Sequence, residues 1–375
     1  MKKNSVQSVL QTKNLAVGYG KKVIIDDISF SVRSGEVFTL IGPNGAGKST
    51  ILKTITRQLK KLQGNICVFD EEISKITDAG LSKQVSMVMT SGIKSELMTC
   101  RDIVATGRYP YTGRLGVLSD DDWKKVDEAI AMVHADEVSE CDFSRVSDGQ
   151  RQRIMLARAI CQETGILVLD EPTSYLDMRY KIDILSSIRK LALKRDMAII
   201  MSLHELDLAY KVSDKIACVK DGHIDKVDVP EQIFEGNYIQ RLYGVDDDCF
   251  EPKTTQLFMQ NRSKTDKYDV FVIGGAGTGI PVYNRLFRLN IPFAAGILQE
   301  NDLEYAAARA NAVKVVSQKA FTPFSEENYE KAKECIDTCE TCICTLEEFG
   351  QFGEYNRKLM EYAAQHKKLK NMNEL

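Results

Sequence analysis

Three groups of residues in this chain could do chemistry together. The first is GPNGAGKST at 42–50. Gly42, Gly45 and Gly47 let the backbone curl so that several N–H groups point inward, and with the positive end of a following helix those donors make an anion site. Lys48 supplies a full charge to terminal phosphates, and Ser49 offers a hydroxyl to Mg²⁺, which prefers hard oxygen ligands. The second group is Asp170 and Glu171, which close the apolar run ILVL at 166–169. Acids at a strand's carboxyl end lie where open α/β sheets bind ligands. Asp170 suits the water shell of Mg²⁺, and Glu171 suits polarisation of an attacking water. The third is His204, which closes the strand-like MAIIMSLH and is placed to donate to a γ-phosphate. Tyr19, upstream of the loop, offers a flat face to a nucleobase, or is simply a half-buried strand tyrosine.

These residues need elements to position them. VFTLI (37–41) precedes the loop and ILKTITRQL, with helical spacing, follows it, the strand–turn–helix setting of a phosphate loop. Upstream, TKNLAVGYG and VIIDDISFSV alternate as short strands, with turns at Gly20 and at Arg33–Gly35. NICVFD and VSMVM are further strand-like runs. From about 92 to 165 the pattern is mainly helical, in MTCRDIVATGR, DDDWKKVDEAIAMVHA and QRQRIMLARAICQE. Asp120, Asp121 and Asp122 open the middle helix, favourably for its dipole. SYLD (174–177) and a helix at about 178–194 follow the two acids. The pattern is a helical insertion in a nucleotide-binding α/β core.

The length of 375 residues suits two or three domains, and 43% hydrophobic with 27% charged residues is an ordinary globular composition. A net charge of −3 argues against a dedicated nucleic-acid binder. No run of 18 apolar residues exists, and the N-terminus has no leader-like apolar core, so the expected setting is intracellular. The ten cysteines then read as reduced thiols.

Together these residues resemble the nucleotide-binding subunit of ATP-binding cassette (ABC) transporters over about 12–250. The resemblance implies an ABC-type P-loop NTPase core with an antiparallel β subdomain and a helical subdomain (about 92–165), forming an ATPase domain over 1–250. It implies ATP and Mg²⁺ as ligands. Tyr19 would stack on adenine, and Gly42, Asn44, Gly45, Gly47, Lys48, Ser49 and Thr50 would hold the phosphates. Ser49 and Asp170 would hold Mg²⁺, and Glu171, His204 and Lys48 would serve catalysis. It also implies a head-to-tail homodimer. Ser147, Gly149 and Gln150 of the signature VSDGQRQR (146–153) would complete the other subunit's site, with Asp177 bridging the two. Two positions depart from the family. Thr90 stands where a glutamine normally meets the metal and the water, and its hydroxyl is a shorter oxygen ligand for Mg²⁺, while Asp148 stands at a glycine-like signature position, its carboxylate expected to point away from phosphate.

TCRDIVATGRYPYTG (99–113) is similar to the matching segment of importer ATPases for ferric siderophores, haem and cobalamin. That resemblance implies a many-spanning permease, an extracellular substrate-binding protein acting through it, and a peripheral place on the cytoplasmic face of the membrane. A ferric chelate is the first expectation for cargo, with cobalamin or haem as alternatives. A soluble ABC ATPase of translation or repair is the competing class, but the chain shows one cassette and no long heptad insertion.

Residues 251–266 lose periodicity and read as a linker or terminal strand, and 267–375 read as a Rossmann-like α/β domain. GGAGTG (274–279) sits at the first strand–helix turn, but Ile280 breaks the G-x-G-x-x-G spacing. Gly274, Gly275, Gly277 and Gly279 could still cradle a phosphate or carboxylate, and Glu300 or Asp302 could accept from a ribose hydroxyl. Asp302 reads better as the cap of LEYAAARANAV. The expectation is an accessory, regulatory ligand site. VKVVSQ, a helix opened by Ser325, the strand TCICTLEEFG and a final amphipathic helix follow, and the basic KKLKNMN reads as a solvated end. Cys335, Cys339, Cys342 and Cys344 do not have a standard metal spacing and read as small buried residues, the first two one helical turn apart and the last two on one strand face.

Overall fold

The structure is a computed structural model and describes residues 8–89, 97–113, 116–259, 267–350 and 353–372. The chain divides into two compact units that meet at residues 243 and 244.

In the first unit β1 (Ser8–Tyr19) and β2 (Lys22–Arg33) pair as an antiparallel hairpin. Both are longer than the alternation predicts, and β1 begins at Ser8, where the hydroxyl donates to the Val32 carbonyl at 3.2 Å. β3 (Val37–Ile41) runs into the glycine loop and α1 (Lys48–Ile55). β4 (Gln63–Val68) and β5 (Glu71–Glu72) return to the hairpin and complete a sheet ordered β2-β1-β4-β5.

After α2 (Asp78–Ser82) and β6 (Val85–Val88) comes the helical segment. It holds α3 (Cys100–Ala105), α4 (Asp120–Met132) and α5 (Asp148–Cys161). Each of these three starts on a reciprocal cap, Thr99 with Asp102, Ser119 with Asp122, and Ser147 with Gln150. α3 is shorter than MTCRDIVATGR suggests. Residues 106–111 tighten into a 3₁₀ turn around Pro110, which has no N–H to continue the ladder.

β7 (Ile166–Leu169), α6 (Met178–Arg195), β8 (Ala198–Ser202), α7 (Leu206–Val212), β9 (Lys215–Lys220), β10 (His223–Asp228), α8 (Pro230–Ile233) and α9 (Tyr238–Tyr243) finish the unit. The main sheet is ordered β10-β9-β3-β8-β7-β6, parallel except for β10 at its edge. β3, β7 and β8 are buried along their whole length, which is why they read as unbroken apolar runs. One core joins both sheets and α1. Val17 and Ile25 belong to the hairpin, Leu40 and Ile200 to the main sheet and Ile51 to the helix, while the Phe30 and Phe38 rings stack at 4.7 Å. The carboxyl ends of β3, β7 and β8 are thereby fixed side by side. Among the described residues no helix is long and apolar enough to cross a membrane.

The second unit holds a hairpin, β11 (Phe250–Glu251) and β12 (Gln256–Leu257), that overlaps the stretch expected to be a linker. Residues 260–266 of that stretch lie outside the described ones. Then β13 (Val270–Ile273), α10 (Ile280–Leu289), β14 (Phe293–Gln299), α11 (Tyr305–Asn311), β15 (Lys314–Gln318), α12 (Glu326–Thr338), β16 (Thr341–Cys344), α13 (Glu354–Gln365) and β17 (Leu369–Lys370) alternate. They form a wholly parallel sheet ordered β15-β14-β13-β16-β17, the doubly wound arrangement with its order reversing at β13.

The basic end is not simply solvated. Leu369 pairs with Cys342 as an edge strand, and Lys368 Nζ donates to the carbonyls of Ile336, Asp337 and Cys339 at 2.7, 2.8 and 2.8 Å. Those carbonyls, at the end of α12, have no partner within the helix and attract a cation. Cys335, Cys339 and Cys342 are buried in the unit's core with Cys344 packed against it, and the Cys339 thiol donates to the Ile336 and Thr341 carbonyls. Burial pushes the thiols of Cys339, Cys342 and Cys344 up.

Candidate nucleotide site

The loop between β3 and α1 takes a backbone that side chains resist. Gly42 and Gly47 have φ of +143° and +101°. A Cβ at Gly42 would lie 2.1 Å from the Val219 carbonyl oxygen, and one at Gly47 2.7 Å from Ile25 Cδ1. Lys48 opens α1 and folds back over the loop. Its Nζ donates to the carbonyls of Gly42 at 2.7 Å and Pro43 at 3.0 Å. Burial lowers its pKa, against the opposing pull of Glu171 and Asp170. The ammonium is thus held by two carbonyl dipoles at the place where phosphate would compete for it.

Asp170 and Glu171 leave the end of β7, which lies between β8 and β6. Asp170 Oδ1 accepts from Ser49 Oγ at 2.9 Å and from Ser202 Oγ at 2.8 Å. The Glu171 N–H donates to Ser202 Oγ at 2.9 Å. Ser202 was not singled out in the sequence. Its signal is a hydroxyl that ends the apolar run AIIM on a fully buried strand, and it is itself fully buried. Ser202→Ala should therefore strip a donor from Asp170 and leave the Glu171 amide without its partner, lowering stability by about 1–3 kcal/mol. It should also lower kcat, because both acids lose a fixed contact. Urea unfolding and steady-state turnover check this, and unchanged values for both would remove Ser202 from the site.

Glu171 has φ +49°, at the turn that follows β7. His204 Nε2 lies 2.6 Å from its Oε1, and Ser174 Oγ donates to its Oε2 at 3.0 Å. Gln152, a second residue not singled out, donates from Nε2 to the Glu171 carbonyl at 3.3 Å and the Pro172 carbonyl at 2.5 Å. It ties α5 to the turn that carries Glu171. Tyr19, Asn44, Gly45, Gly47, Lys48, Ser49, Thr50, Glu171 and His204 line one pocket, together with Ile24. Tyr19 is 51% exposed, so a ring face is open to a flat ligand.

Residues 25–174 match the ABC transporter family, and 293–373 match a family described as the MJ0874 family. The ABC transporter ATP-binding protein MJ0873 of Methanocaldococcus jannaschii is 37% identical over 290 residues, covering 77% of this chain and 100% of that protein. The chain belongs to the ABC transporter ATP-binding proteins. It is an ATPase. The cobalamin import ATP-binding protein BtuD of Halobacterium salinarum is 31% identical over 305 residues, covering 80% of this chain and 76% of that protein. The iron(3+)-hydroxamate import ATP-binding protein FhuC of Bacillus subtilis is 31% identical over 248 residues, 66% of this chain and 92% of that one. The dimeric structure of the ATP-binding cassette MJ0796 in a post-hydrolysis state with ADP and Pi has a TM-score of 0.54 at 22% identity, covering 59% of this chain and 98% of that one, and shares the fold.

Other positions singled out in this ATPase lie away from that pocket. Ser147 and Gln150 cap α5 reciprocally, the Ser147 N–H donating to Gln150 Oε1 at 3.0 Å, and Gly149 packs under Leu176. Asp148 is exposed and accepts from Arg151 Nη1 at 3.0 Å. Asp177 is exposed and caps α6, accepting from the Tyr180 N–H at 3.1 Å. Thr90 lies outside the described residues.

In the second unit the glycine turn meets a carboxylate of its own chain. Glu304, fully buried, accepts from the Gly279 N–H at 2.7 Å and the Tyr283 hydroxyl at 2.8 Å. A Cβ at Gly274 would lie 2.3 Å from Glu304 Oε1, so the glycine makes room for the acid. Asp302 accepts from the Ala276 N–H at 2.8 Å and the Glu304 N–H at 3.0 Å, and α11 starts later, at Tyr305. To the expected site of Gly274, Gly275, Gly277, Gly279 and Glu300 the structure adds an acid that the sequence reading did not single out. The acid at the turn is Glu304, because α11 begins beneath the turn. Glu300 is exposed, and among the described residues no hydrogen bond joins its side chain to the glycines. A pyrophosphate at Gly279 would first have to displace Glu304.

Burial raises the Glu304 pKa from 4.5, with the Gly279 amide and Tyr283 hydroxyl opposing the rise. The folded state therefore holds this proton more tightly than the unfolded chain. The stability it contributes is complete below pH about 4.5 and is lost as pH rises through the folded value. The stability of Glu304→Gln should lack this fall. Far-UV unfolding in urea between pH 4.5 and 8 should give curves for the two proteins that converge or cross, and parallel curves would count against the assignment.

Proposed function

We propose that this ATPase powers import of a ferric chelate of the siderophore type through a membrane permease, working as a homodimer on the cytoplasmic face. The observation that carries the reading is one pocket holding Lys48 and Ser49 of the glycine loop, opposite Glu171 and His204. Lys48 and the first amides of α1 would take the β- and γ-phosphates, and Tyr19 the adenine. Glu171 would orient the attacking water and accept its proton as the bond between the γ-phosphorus and the ADP oxygen breaks. His204, already against Glu171, would fix that carboxylate and donate to the transferring phosphoryl group. Ser49 and Asp170 fit Mg²⁺, since two hard oxygens 2.9 Å apart face each other at the loop. Held by Ser49 and Asp170, the ion would supply positive charge beside the phosphates.

Ser147, Gly149, Gln150 and Asp177 would act across a dimer. They stand on exposed helix starts outside this pocket, where a second copy could meet them. Support for the cargo comes from relatives named for iron(3+)-hydroxamate, petrobactin and achromobactin transport. The relative named for cobalamin import supports a second reading, with cobalamin as cargo. Mild-detergent capture of the tagged chain from its native membranes tests the proposal. Co-purification of a polytopic permease, followed by ATP-dependent uptake of radiolabelled iron chelate in vesicles, is the expected result. Uptake of cobalamin alone would transfer the function to the second reading. A chain recovered alone from the soluble fraction would remove transport and leave the ATP site standing.

A further inference from the structure

The first glycine of the phosphate loop is held from outside the loop. The Gly42 N–H donates to the hydroxyl of Tyr243 at 3.1 Å, across 201 positions of sequence. Gly42 is also sterically confined. It is packed against the Val219 carbonyl so closely that no side chain fits there. Its own carbonyl accepts from Lys48 Nζ at 2.7 Å. One residue thus links a tyrosine hydroxyl, through its N–H, to the lysine of the loop, through its carbonyl. Burial pushes the Tyr243 pKa up to about 12, the Gly42 amide pulling the other way, so the hydroxyl is neutral at ordinary pH.

We propose that Tyr243 is a positioning residue for ATP binding, fixing Gly42, the residue whose carbonyl seats Lys48. It rests on the ATP-site reading above but goes beyond it. The residue is not among those that line the nucleotide pocket, and it acts through the loop backbone. It is also the last residue of the first unit, so the chain enters the second unit directly from this contact.

The test is steady-state kinetics of full-length Tyr243→Phe, which removes one oxygen and keeps the ring. KM for ATP should rise about 3- to 10-fold while kcat stays within about 2-fold, because the loss falls on ground-state seating of the phosphates. Tyr238→Phe is the control. Its hydroxyl donates to Asp225 at 2.6 Å, so a comparable loss of one hydrogen bond should leave KM unchanged. An unchanged KM in Tyr243→Phe, with or without a lower melting temperature, overturns the proposal, as does an equal rise in Tyr238→Phe. Should the phenylalanine variant not fold, ¹⁵N-glycine labelling of the parent protein answers instead. Slow exchange of the Gly42 amide supports the contact, and exchange at the solvent rate overturns it. A parent protein without ATPase activity would instead sink the ATP-site reading itself, which keeps the two failures distinct.

Discussion

Glu171→Gln is expected to lower ATP turnover about 100- to 1,000-fold while ATP stays bound. The substitution keeps the size of the side chain and its contact with Ser174, whose hydroxyl lies 3.0 Å from Oε2. It removes the carboxylate that faces His204 at 2.6 Å. An amide cannot accept the proton of an attacking water, so the step that breaks the γ-phosphate bond loses its base. Lys48, the loop amides and the Ser49–Asp170 pair are untouched, so binding should survive. In a dimer closed by ATP the variant should accumulate as the ATP-bound pair, visible by gel filtration as a species of twice the mass. Turnover at the parental rate would show that Glu171 is not the base. Slow turnover with ATP binding also lost would show that the substitution had damaged the pocket rather than the chemistry.

Lys48→Ala should strike the other half of the reaction. About a 100-fold loss of ATP affinity is expected, roughly 2.8 kcal/mol. The lysine is 5% exposed and is gripped by two loop carbonyls. Removing it takes a buried cation from the glycine loop and leaves the Gly42 carbonyl without its donor. Lys48→Arg should not rescue, because a planar fork cannot occupy a seat shaped for a point charge between two carbonyls. Titration with a fluorescent ATP analogue reads the effect directly. Affinity within about 3-fold of the parent would mean that the amides alone hold the phosphates.

Parts of this protein were legible in the sequence because their causes are local. GPNGAGKST is readable since glycine spacing, lysine and hydroxyl lie within nine consecutive residues between a strand and a helix. ILVLDEP is readable because a strand buried on both faces must be apolar, and its acids can only fall at its end. The helix opened by Ser325 is readable because a cap acts within one turn, here from the Asn328 N–H to Ser325 Oγ at 3.2 Å. The alternation of the second unit announces strand–helix–strand packing in the same way. Where the local signal ran past its limits, the reading did too. α3 stopped at Ala105 before Pro110, and Leu369–Lys370 joined a sheet although two residues carry no periodicity.

The remaining contacts were decided by which strands lie side by side. Ser202 meets Asp170 only because β8 sits next to β7 in register, and 32 residues separate them in the chain. Tyr243 reaches Gly42 only because α9 ends near the carboxyl end of β3. Glu304 takes the Gly279 amide, while Glu300, the same residue type four positions earlier, stays exposed. Composition and spacing treat those two glutamates alike. The sequence alone determined that a phosphate loop, a strand-end acid pair and two α/β units exist, since backbone geometry and burial pattern are written within a few residues. The tertiary structure alone decided which hydroxyl holds which acid and which acid closes which turn. Those choices depend on strand order and register, which no short window of residues contains.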